Sequence, residues 1–357
     1  MRILVFGAGA VGCYIGAQLA LAAHSVTLLG RERVTLPIRE HGLTIRPADR
    51  RAQPIAVRDI LTATSFDEAL LASPDFDLAL FTMKAYDTAQ AAEEFQRHLA
   101  GRTPIVCMQN GVGNESLIES VLGAGRVVAG AMTTAVTMGA QGAVVEETER
   151  GIGLAADSPS YPAALAAFAP TKLRIGTVRA TASLKWSKLL TNLICNATSA
   201  ILDMPPAQIM SSRELFAVEV LALRETLLIM KLLGIPVADL PGAPATLLAT
   251  LLRSMPLAVL QPLLRAQFAS ARGDKLPSLA VALRAHQSRT EVAWLNGAVA
   301  QAARSAHRLA PINHALALLV SDIASGRVPW EMYRHNPTTL LAAVHAAQGN
   351  TRWRYGE

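Results

Sequence analysis

A glycine-rich turn close to the amino terminus constrains the fold of this chain more than any other feature. The apolar run 2–6 is typical of a buried strand, and the turn that follows it directly consists of Gly7, Ala8, Gly9, Ala10, Val11 and Gly12. Small and apolar residues over 10–23 predict a helix, and a second strand is predicted at 25–29. This order is typical of a dinucleotide-binding βαβ unit, with a glycine-rich turn in another α/β fold as the alternative.

The spacing of the glycines gives each one a role in binding a dinucleotide. Gly7 allows the tight turn, Gly9 lets the backbone approach a pyrophosphate, and Gly12 lets the helix pack closely on the strand. The helix that follows directs unsatisfied N–H groups at the same place, which favours an anion. We therefore expect all six residues of the turn to bind the cofactor.

The residue after the second strand bears on which nicotinamide dinucleotide is used. An acidic side chain at this position would bind the 2′-hydroxyl of NAD, but the chain has Gly30 followed by Arg31. A guanidinium can pair bidentately with a 2′-phosphate, so the sequence favours NADP, supplied as NADPH. The alternative is a surface arginine without this role. Because the neighbouring Glu32 is acidic, NAD remains an alternative cofactor.

The pattern changes from strands to helices near residue 178. Further strands are predicted at 77–82 and 104–108, short strands and turns at 42–60, and the rest of the sheet over 126–176. We expect an α/β fold with a Rossmann-type domain at 1–178, an all-helical substrate domain at 179–330 and an extension at 331–357. The helices of the second domain are predicted at 181–201, 206–234, 244–270, 278–306 and 312–325.

Two polar residues follow strands of the predicted sheet. Lys84 comes after the strand at 77–82, and Asn110 comes after the strand at 104–108. Open α/β sheets bind ligands at the carboxyl ends of their strands, so both residues are candidates for contact with the cofactor. The alternatives are a surface charge for Lys84 and an ordinary turn for Asn110 and Gly111.

A polar row marks the helix predicted at 184–201. Lys188, Asn192 and Asn196 recur every four residues and form a row beside an apolar stripe. Asparagine is a poor helix former, and a row facing solvent would normally carry Glu, Arg or Gln. The row therefore predicts a face that meets a polar substrate.

Composition excludes several classes of function. The net charge of +6 favours acidic ligands, but the basic residues form no dense run, so nucleic-acid binding is not expected. Cys13, Cys107 and Cys195 are far apart, which predicts neither disulfides nor a metal site and suits a reducing cytoplasm. Charged residues and prolines interrupt the apolar stretches 215–233 and 245–264, so no membrane span is expected, and the first residues do not form a signal peptide.

Together these motifs resemble the ketopantoate reductase family, and the resemblance covers about residues 1–325. The family implies a Rossmann-type domain followed by a helical domain like that of 6-phosphogluconate dehydrogenase. It also implies NADPH-dependent reduction of ketopantoate (2-dehydropantoate) to (R)-pantoate in pantothenate synthesis. The markers are the glycine turn, Met83-Lys84-Ala85, Gln109-Asn110-Gly111, the segment Trp186–Asn196, Arg289-Thr290-Glu291 and Asn296-Gly297.

The resemblance assigns roles to individual residues. It makes Lys188 the catalytic general acid and Glu291 its catalytic partner, and it places Lys84 near the nicotinamide. A lysine suits this role because partial removal from water lowers the pKa of an ammonium group towards neutrality. The residues that the resemblance assigns to substrate binding are Asn110, which also borders the cofactor, Asn192, Asn196 and Ser278.

The sequence also departs from the family pattern. Ala282 stands where the family has an aspartate, Gln287 and Ser288 replace a glycine and an arginine before Arg289-Thr290-Glu291, and Ser278 is displaced by one residue and is equally suited to cap a helix. These departures leave another 2-oxo acid as an alternative substrate.

A non-catalytic NADP-binding sensor is a further alternative, against which the retained catalytic residues argue. The expected partner is a small 2-oxo acid, and homodimer formation is left open.

Overall fold

The computed structural model describes residues 1–49, 51–99, 101, 103–272 and 276–349, without the side chains of 266–272. The chain divides into two compact units. Unit 1 comprises Met1–Lys185 and Ala238–Pro244, and unit 2 comprises Trp186–Val237 and the residues from Ala245 onward. The end of the predicted extension, 350–357, lies outside the described residues.

Unit 1 is built on a mostly parallel sheet. Its strands lie in the order β12-β11-β8-β7-β6-β1-β2-β5, and the neighbours are parallel except for β11 and β8. The described strands of the chain are β1 Arg2–Phe6, β2 Ser25–Leu29, β3 Leu43–Arg46, β4 Ile55–Val57, β5 Ile60–Ala63, β6 Leu78–Phe81, β7 Ile105–Cys107, β8 Val127–Met132, β9 Ala135–Met138, β10 Ala143–Thr148, β11 Ile152–Ala155 and β12 Ile175–Val178. This sheet and the helical unit that follows confirm the predicted fold class.

Helices cover the sheet of unit 1 and make up most of unit 2. Those whose first residue lies in unit 1 are α1 Ala10–Leu21, α2 Glu32–His41, α3 Phe66–Ala72, α4 Thr88–His98, α5 Asn114–Leu122, α6 Tyr161–Phe168 and α7 Thr181–Leu193. The later helices are α8 Asn196–Leu202, α9 Pro206–Ser211, α10 Arg213–Leu232, α11 Ala245–Ser254, α12 Leu257–Arg272, α13 Ser278–Arg284, α14 Asn296–Ser305, α15 Pro311–Ala324 and α16 Pro337–Gly349. None of the described helices is long and apolar enough to cross a membrane.

The side chains of β1 alternate between the two faces of the sheet, as strand geometry requires. Ile3 and Val5 pack in the apolar cluster that contains α1. Leu4 packs in the opposite cluster, together with Phe66 and Phe81. Because both faces of β1 are buried, the glycine turn at its end lies on a rigid support.

A second, four-stranded sheet corrects the expectation that 126–176 would only complete the first sheet. Strands β9 and β10 leave the main sheet and pair with β3 and β4 in the order β4-β3-β10-β9. The reason lies in α1, whose residues from Gly12 to Leu19 are all buried. A helix that is apolar all round needs cover on its outer side, and Leu43, Ile45 and Val144 of the small sheet belong to the same cluster as α1.

Several predicted long helices are each divided into shorter elements. The predicted helix at 206–234 is interrupted at Ser212, whose hydroxyl caps α10 by accepting from Leu215 N. Pro256 separates α11 from α12 within the helix predicted at 244–270. The prediction at 278–306 is replaced by α13, a 3₁₀ turn at Glu291–Trp294 and α14. Ser211-Ser212, Pro256 and the polar run 286–290 mark these breaks in the sequence, and the prediction of single long helices passed over them.

The helix predicted at 184–201 is also broken, and a buried carboxylate explains the break. Helix α7 ends at Leu193, Cys195 adopts a left-handed conformation with φ +55°, and α8 begins at Asn196. Glu219 of α10, only 4% exposed, accepts a hydrogen bond from Cys195 N at 2.7 Å and another from the hydroxyl of Thr198. A carboxylate at the start of a helix satisfies orphan N–H groups and interacts favourably with the helix dipole.

A second buried carboxylate on α10 has the same function at another helix. Glu225 accepts hydrogen bonds from Ile312 N and Asn313 N, both at 3.0 Å, at the beginning of α15. The side chain of Asn313 donates to Glu225 as well, at 2.8 Å. Helix α10 therefore fixes the starts of both α8 and α15.

The described part of the predicted extension packs on the helices of unit 2. Helix α16 lies against α15, and Trp330, the residue just before the extension, donates through Nε1 to the carbonyl of Ala200 at 3.0 Å. Asp203, at the end of α8, pairs with Arg284 at 2.6 Å and with Arg334 at 2.7 Å. Burial would raise the pKa of Asp203, but hydrogen bonds from the two guanidinium groups hold this pKa below its ordinary value.

Replacing the carboxylate that caps α8 tests this account of the break. Glu219→Ala removes the acceptor for Cys195 N and Thr198, and we expect a loss of about 2–3 kcal/mol in the free energy of unfolding, measured by urea denaturation. Glu214→Ala, on the exposed side of the same helix, is the control, with an expected change within about 0.5 kcal/mol. Equal losses for the two variants would contradict a capping role for Glu219.

Candidate active site

The glycine turn has the shape that a dinucleotide requires. Gly7 has φ +110°, and a Cβ atom there would collide with the backbone of Met83. At Gly12 a Cβ atom would collide with the carbonyl of Gly7, which also accepts a hydrogen bond from Thr82 Oγ1 at 2.7 Å. Only glycine therefore fits at both positions.

The start of α1 is suited to the pyrophosphate of the cofactor. Gly9 is the N-cap residue, and no side chain caps the helix. A Cβ atom added at Gly9 would meet nothing within 4 Å, so a ligand can approach the backbone here. The N–H groups of a first helical turn have no acceptor within their helix, and they favour an anion. The residues present thus fit a dinucleotide.

Arg31 lies at the opposite end of the expected cofactor site, after β2. It is the N-cap residue of α2, and its side chain is 71% exposed. The carboxylate of Asp87 lies 3.5 Å from the guanidinium, a distance at which an exposed pair contributes little. The guanidinium therefore remains accessible to an anionic group of a ligand, and the side chain of Glu32 beside it is also exposed.

Lys84 and Asn110 lie on loops that follow adjacent parallel strands, β6 and β7. The side chain of Lys84 is exposed and that of Asn110 is half-buried. Gln109 joins the two loops, because its Nε2 donates to the carbonyl of Met83 at 3.1 Å and to Thr88 Oγ1 at 2.8 Å. The structure thus brings Lys84 and Asn110 to one edge of the sheet, as predicted from their positions after strands.

In unit 2 the polar row is only partly present. Lys188 and Asn192 lie one turn apart on α7, and both are half-buried. Asn196 is the first residue of α8, beyond the left-handed Cys195, so it does not continue the row. The three residues remain close in sequence, but the prediction of one continuous helical face was wrong.

Asn196 connects α8 with α13. Its Oδ1 accepts a hydrogen bond from Leu279 N at 3.1 Å, and its Nδ2 donates to Ser278 Oγ at 3.4 Å. Ser278 is the first residue of α13 and not its N-cap, so Asn196 supplies the acceptor that a capping side chain would normally provide. Asn196 thus places Ser278, whose side chain is exposed.

Glu291 begins the 3₁₀ turn Glu291–Trp294 and is 5% exposed, whereas the neighbouring Arg289 is exposed. This burial argues against the alternative of an ordinary surface charge at Glu291. Asn296, two residues beyond the turn, donates to Asn313 at 3.0 Å and so joins the network of Glu225. This hydrogen bond joins the segment after the 3₁₀ turn to the start of α15.

Sequence reasoning gave no role to the side chains that support the two loops of unit 1. Asn114 Nδ2 donates to the carbonyl of Asn110 at 3.0 Å, and Thr88 Oγ1 donates to that of Ala85 at 2.7 Å. Both side chains are fully buried. Their only signal in the sequence is a polar residue six residues after the end of each of the strands predicted at 77–82 and 104–108.

Comparison with known proteins agrees with this arrangement. Residues 3–156 match the family model "Ketopantoate reductase PanE/ApbA", and residues 181–324 match "Ketopantoate reductase PanE/ApbA C terminal". The 2-dehydropantoate 2-reductase of Halobacterium salinarum is 28% identical over 325 residues, which are 90% of this chain and 98% of that protein.

Solved structures show the same fold. A PanE/ApbA family ketopantoate reductase from Ralstonia eutropha is 25% identical with a TM-score of 0.76, over 92% of this chain and 99% of the other. D-mandelate dehydrogenase in complex with NADH is 17% identical with a TM-score of 0.72, over 91% and 99%. The chain therefore belongs to the ketopantoate reductase family, a family of oxidoreductases.

Proposed function

We propose that this protein reduces ketopantoate (2-dehydropantoate) to (R)-pantoate with NADPH, the reductive step of pantothenate synthesis. The observation that carries the proposal is the pair Lys188 and Asn192, half-buried and one turn apart on α7, in a chain that also has the glycine turn and a buried Glu291. A sensor would need only the nucleotide-binding unit. The three cysteines are free and buried, which supports a reducing, cytoplasmic location.

Lys188 is the general acid in this proposal. A bound NADPH supplies the hydride that reduces the C2 ketone. Lys188 donates a hydrogen bond to the carbonyl oxygen and transfers a proton to it as negative charge develops there. The ketone thus gains one hydride at carbon and one proton at oxygen, which gives the 2-hydroxy acid.

The other residues hold the substrate and orient the acid. Glu291 orients the ammonium of Lys188 or accepts a hydrogen bond from the substrate hydroxyl. Asn192 and Ser278 bind the polar ends of the substrate, and Asn196 contributes by fixing Ser278 through its bonds to the start of α13. Asn110 and Lys84, both in unit 1, are assigned to contact with the cofactor. Fixed positions of this kind supply much of the acceleration, because they replace a random encounter by an oriented one.

The preference for NADP rests on Arg31. Its guanidinium is largely exposed after β2 and its contact with Asp87 is long, so it is available for a bidentate pair with the 2′-phosphate. The positive net charge of the chain also favours an anionic cofactor and an anionic substrate.

A different 2-oxo acid is the second candidate substrate. The observation that favours it is Ala282, which is half-buried on α13 four residues after Ser278 and stands where the family pattern has an aspartate. Loss of a carboxylate removes a partner for a substrate hydroxyl, and such a site discriminates less against substrates without that group. The ratio of kcat/KM values for ketopantoate and other 2-oxo acids distinguishes the two candidates.

Substitution of Lys188 tests the proposed general acid. We expect Lys188→Ala to lower kcat for ketopantoate by about 10²–10⁴-fold, because the proposed proton donor is lost, while the Kd for NADPH changes little. Lys188→Arg should not restore turnover, since a guanidinium keeps its proton. Lys231→Ala, at an exposed lysine of α10, is the matched control. Turnover of Lys188→Ala within a few-fold of the parent, with NADPH still bound, would refute this role.

Substitution of Arg31 tests the nucleotide preference. Arg31→Ala should raise the Kd for NADPH by about 10–100-fold and leave the Kd for NADH nearly unchanged, because only NADPH carries the 2′-phosphate. Titration of the nicotinamide fluorescence measures both affinities. Arg33→Ala removes an exposed charge two residues away and controls for net charge. Equal weakening of NADPH and NADH would show that Arg31 does not bind the 2′-phosphate.

A further inference from the structure

Lys185 is a buried lysine to which the reaction described above gives no role. It lies on α7 one turn before Lys188, is the last residue of unit 1, and is only 3% exposed. Lysine is almost never fully buried without a partner, because taking an ammonium group out of water is costly. Its surroundings therefore indicate what holds it.

The ammonium of Lys185 meets three partners, as many as it has N–H bonds. It donates to the carbonyl of Gln109 at 2.6 Å and to that of Gly130 at 3.2 Å. Glu115 Oε1 lies 2.9 Å from Nζ, in a side chain that is 9% exposed, so the two charges form a buried ion pair. Burial is the largest single effect and would lower the pKa of Lys185, but the charge of Glu115, the interaction with Cys107 and the hydrogen bond to Glu115 together hold this pKa above its ordinary value.

The Gln109 carbonyl belongs to the peptide that leads into Asn110. The next carbonyl, that of Asn110 itself, accepts from Asn114 Nδ2 at 3.0 Å. Gly111 follows with φ +83°, a conformation that other residues rarely adopt. The backbone on both sides of the Asn110 side chain is therefore anchored by buried groups that are not part of the loop.

The same anchor extends to the loop that carries Lys84. The side chain of Gln109, whose carbonyl is bound by Lys185, donates to the carbonyl of Met83 and to Thr88 Oγ1. Thr88 in turn donates to the carbonyl of Ala85. The loops after β6 and β7 thus share one buried hydrogen-bond network, and the Lys185–Glu115 pair is its charged part.

We propose that Lys185 and Glu115 form a buried positioning pair, which fixes Asn110 and, through Gln109, the loop of Lys84 for the hydride-transfer step. This inference rests on the proposed function for the roles of Asn110 and Lys84. Neither member of the pair touches substrate in this scheme. An apolar residue at either position would leave the carbonyls or the opposite charge buried and unpaired, which explains why a charged pair occupies the site.

The test removes both charges together in Lys185→Met/Glu115→Leu, because removal of one alone leaves an uncompensated buried charge. In the cofactor-free protein we expect hydrogen exchange of the 109–114 segment to become at least about tenfold faster. In the assay we expect kcat to fall by at least about tenfold, with KM for the 2-oxo acid and Kd for NADPH changed by less than about threefold.

Two further variants make the result decisive. Tyr14→Phe removes another buried hydrogen bond of unit 1, from Tyr14 to Glu146 at 2.7 Å, and should lower Tm without changing kcat or the exchange of 109–114. If the double variant does not fold, Glu115→Gln leaves the buried ammonium of Lys185 without its counter-charge but keeps the size of the side chain and an oxygen that can accept from it. It should give faster exchange of 109–114 and a loss of at least about threefold in kcat.

Several outcomes would overturn the proposal. Parent-like exchange of 109–114 in a folded variant would show that the pair does not anchor the loop. Faster exchange with an unchanged kcat would show that the pair stabilises the loop but does not support the reaction. An equal loss of kcat in Tyr14→Phe would show that lower stability of unit 1, and not the position of the loop, reduces turnover. If the parent reduces no 2-oxo acid, the proposed function fails, while the exchange measurement still decides whether Lys185 and Glu115 hold the loop.

Discussion

A charge buried in a protein must be met by an opposite charge or by several hydrogen bonds, and this constraint determines where the functional segments of the chain lie. Glu219 caps the start of α8, and Glu225 caps the start of α15. Lys185 and Glu115 hold the loop after β7, which carries Asn110. Loss of one partner of such a group typically costs about 3–5 kcal/mol, because the remaining charge stays buried. Each of these buried charged side chains therefore holds the segments that it contacts in essentially one arrangement.

Much of the fold follows from local sequence. The glycine turn after β1, the parallel strands and the change to helices near residue 178 depend on residue types and spacings within short segments. The positions of Lys84 and Asn110 at one sheet edge also follow, because the carboxyl ends of parallel strands meet there. The need for glycine at positions 7 and 12 could be predicted because a Cβ atom there would collide with atoms of the turn and of the segments beside it.

What the sequence did not reveal depends on residues far apart in the chain. The break after α7 needs Glu219, which is 24 residues away from Cys195, and apolar spacing runs through it without interruption. The second sheet forms because α1 is apolar on all sides, and its partner strands come from two distant segments. Lys185 was given no role, since nothing nearby in the sequence indicates that Glu115 meets it. Long-range pairing of charges was the missing information.

The family and the glycine turn point to one reaction, the reduction of ketopantoate. The loss of NADPH absorbance with ketopantoate, compared with pyruvate, 2-oxoisovalerate and oxaloacetate, tests this reaction most directly. We predict a kcat/KM for ketopantoate at least about tenfold above that for each other acid. A higher kcat/KM for another acid, or no oxidation of tightly bound NADPH with ketopantoate, would contradict the assignment and direct attention to Ala282.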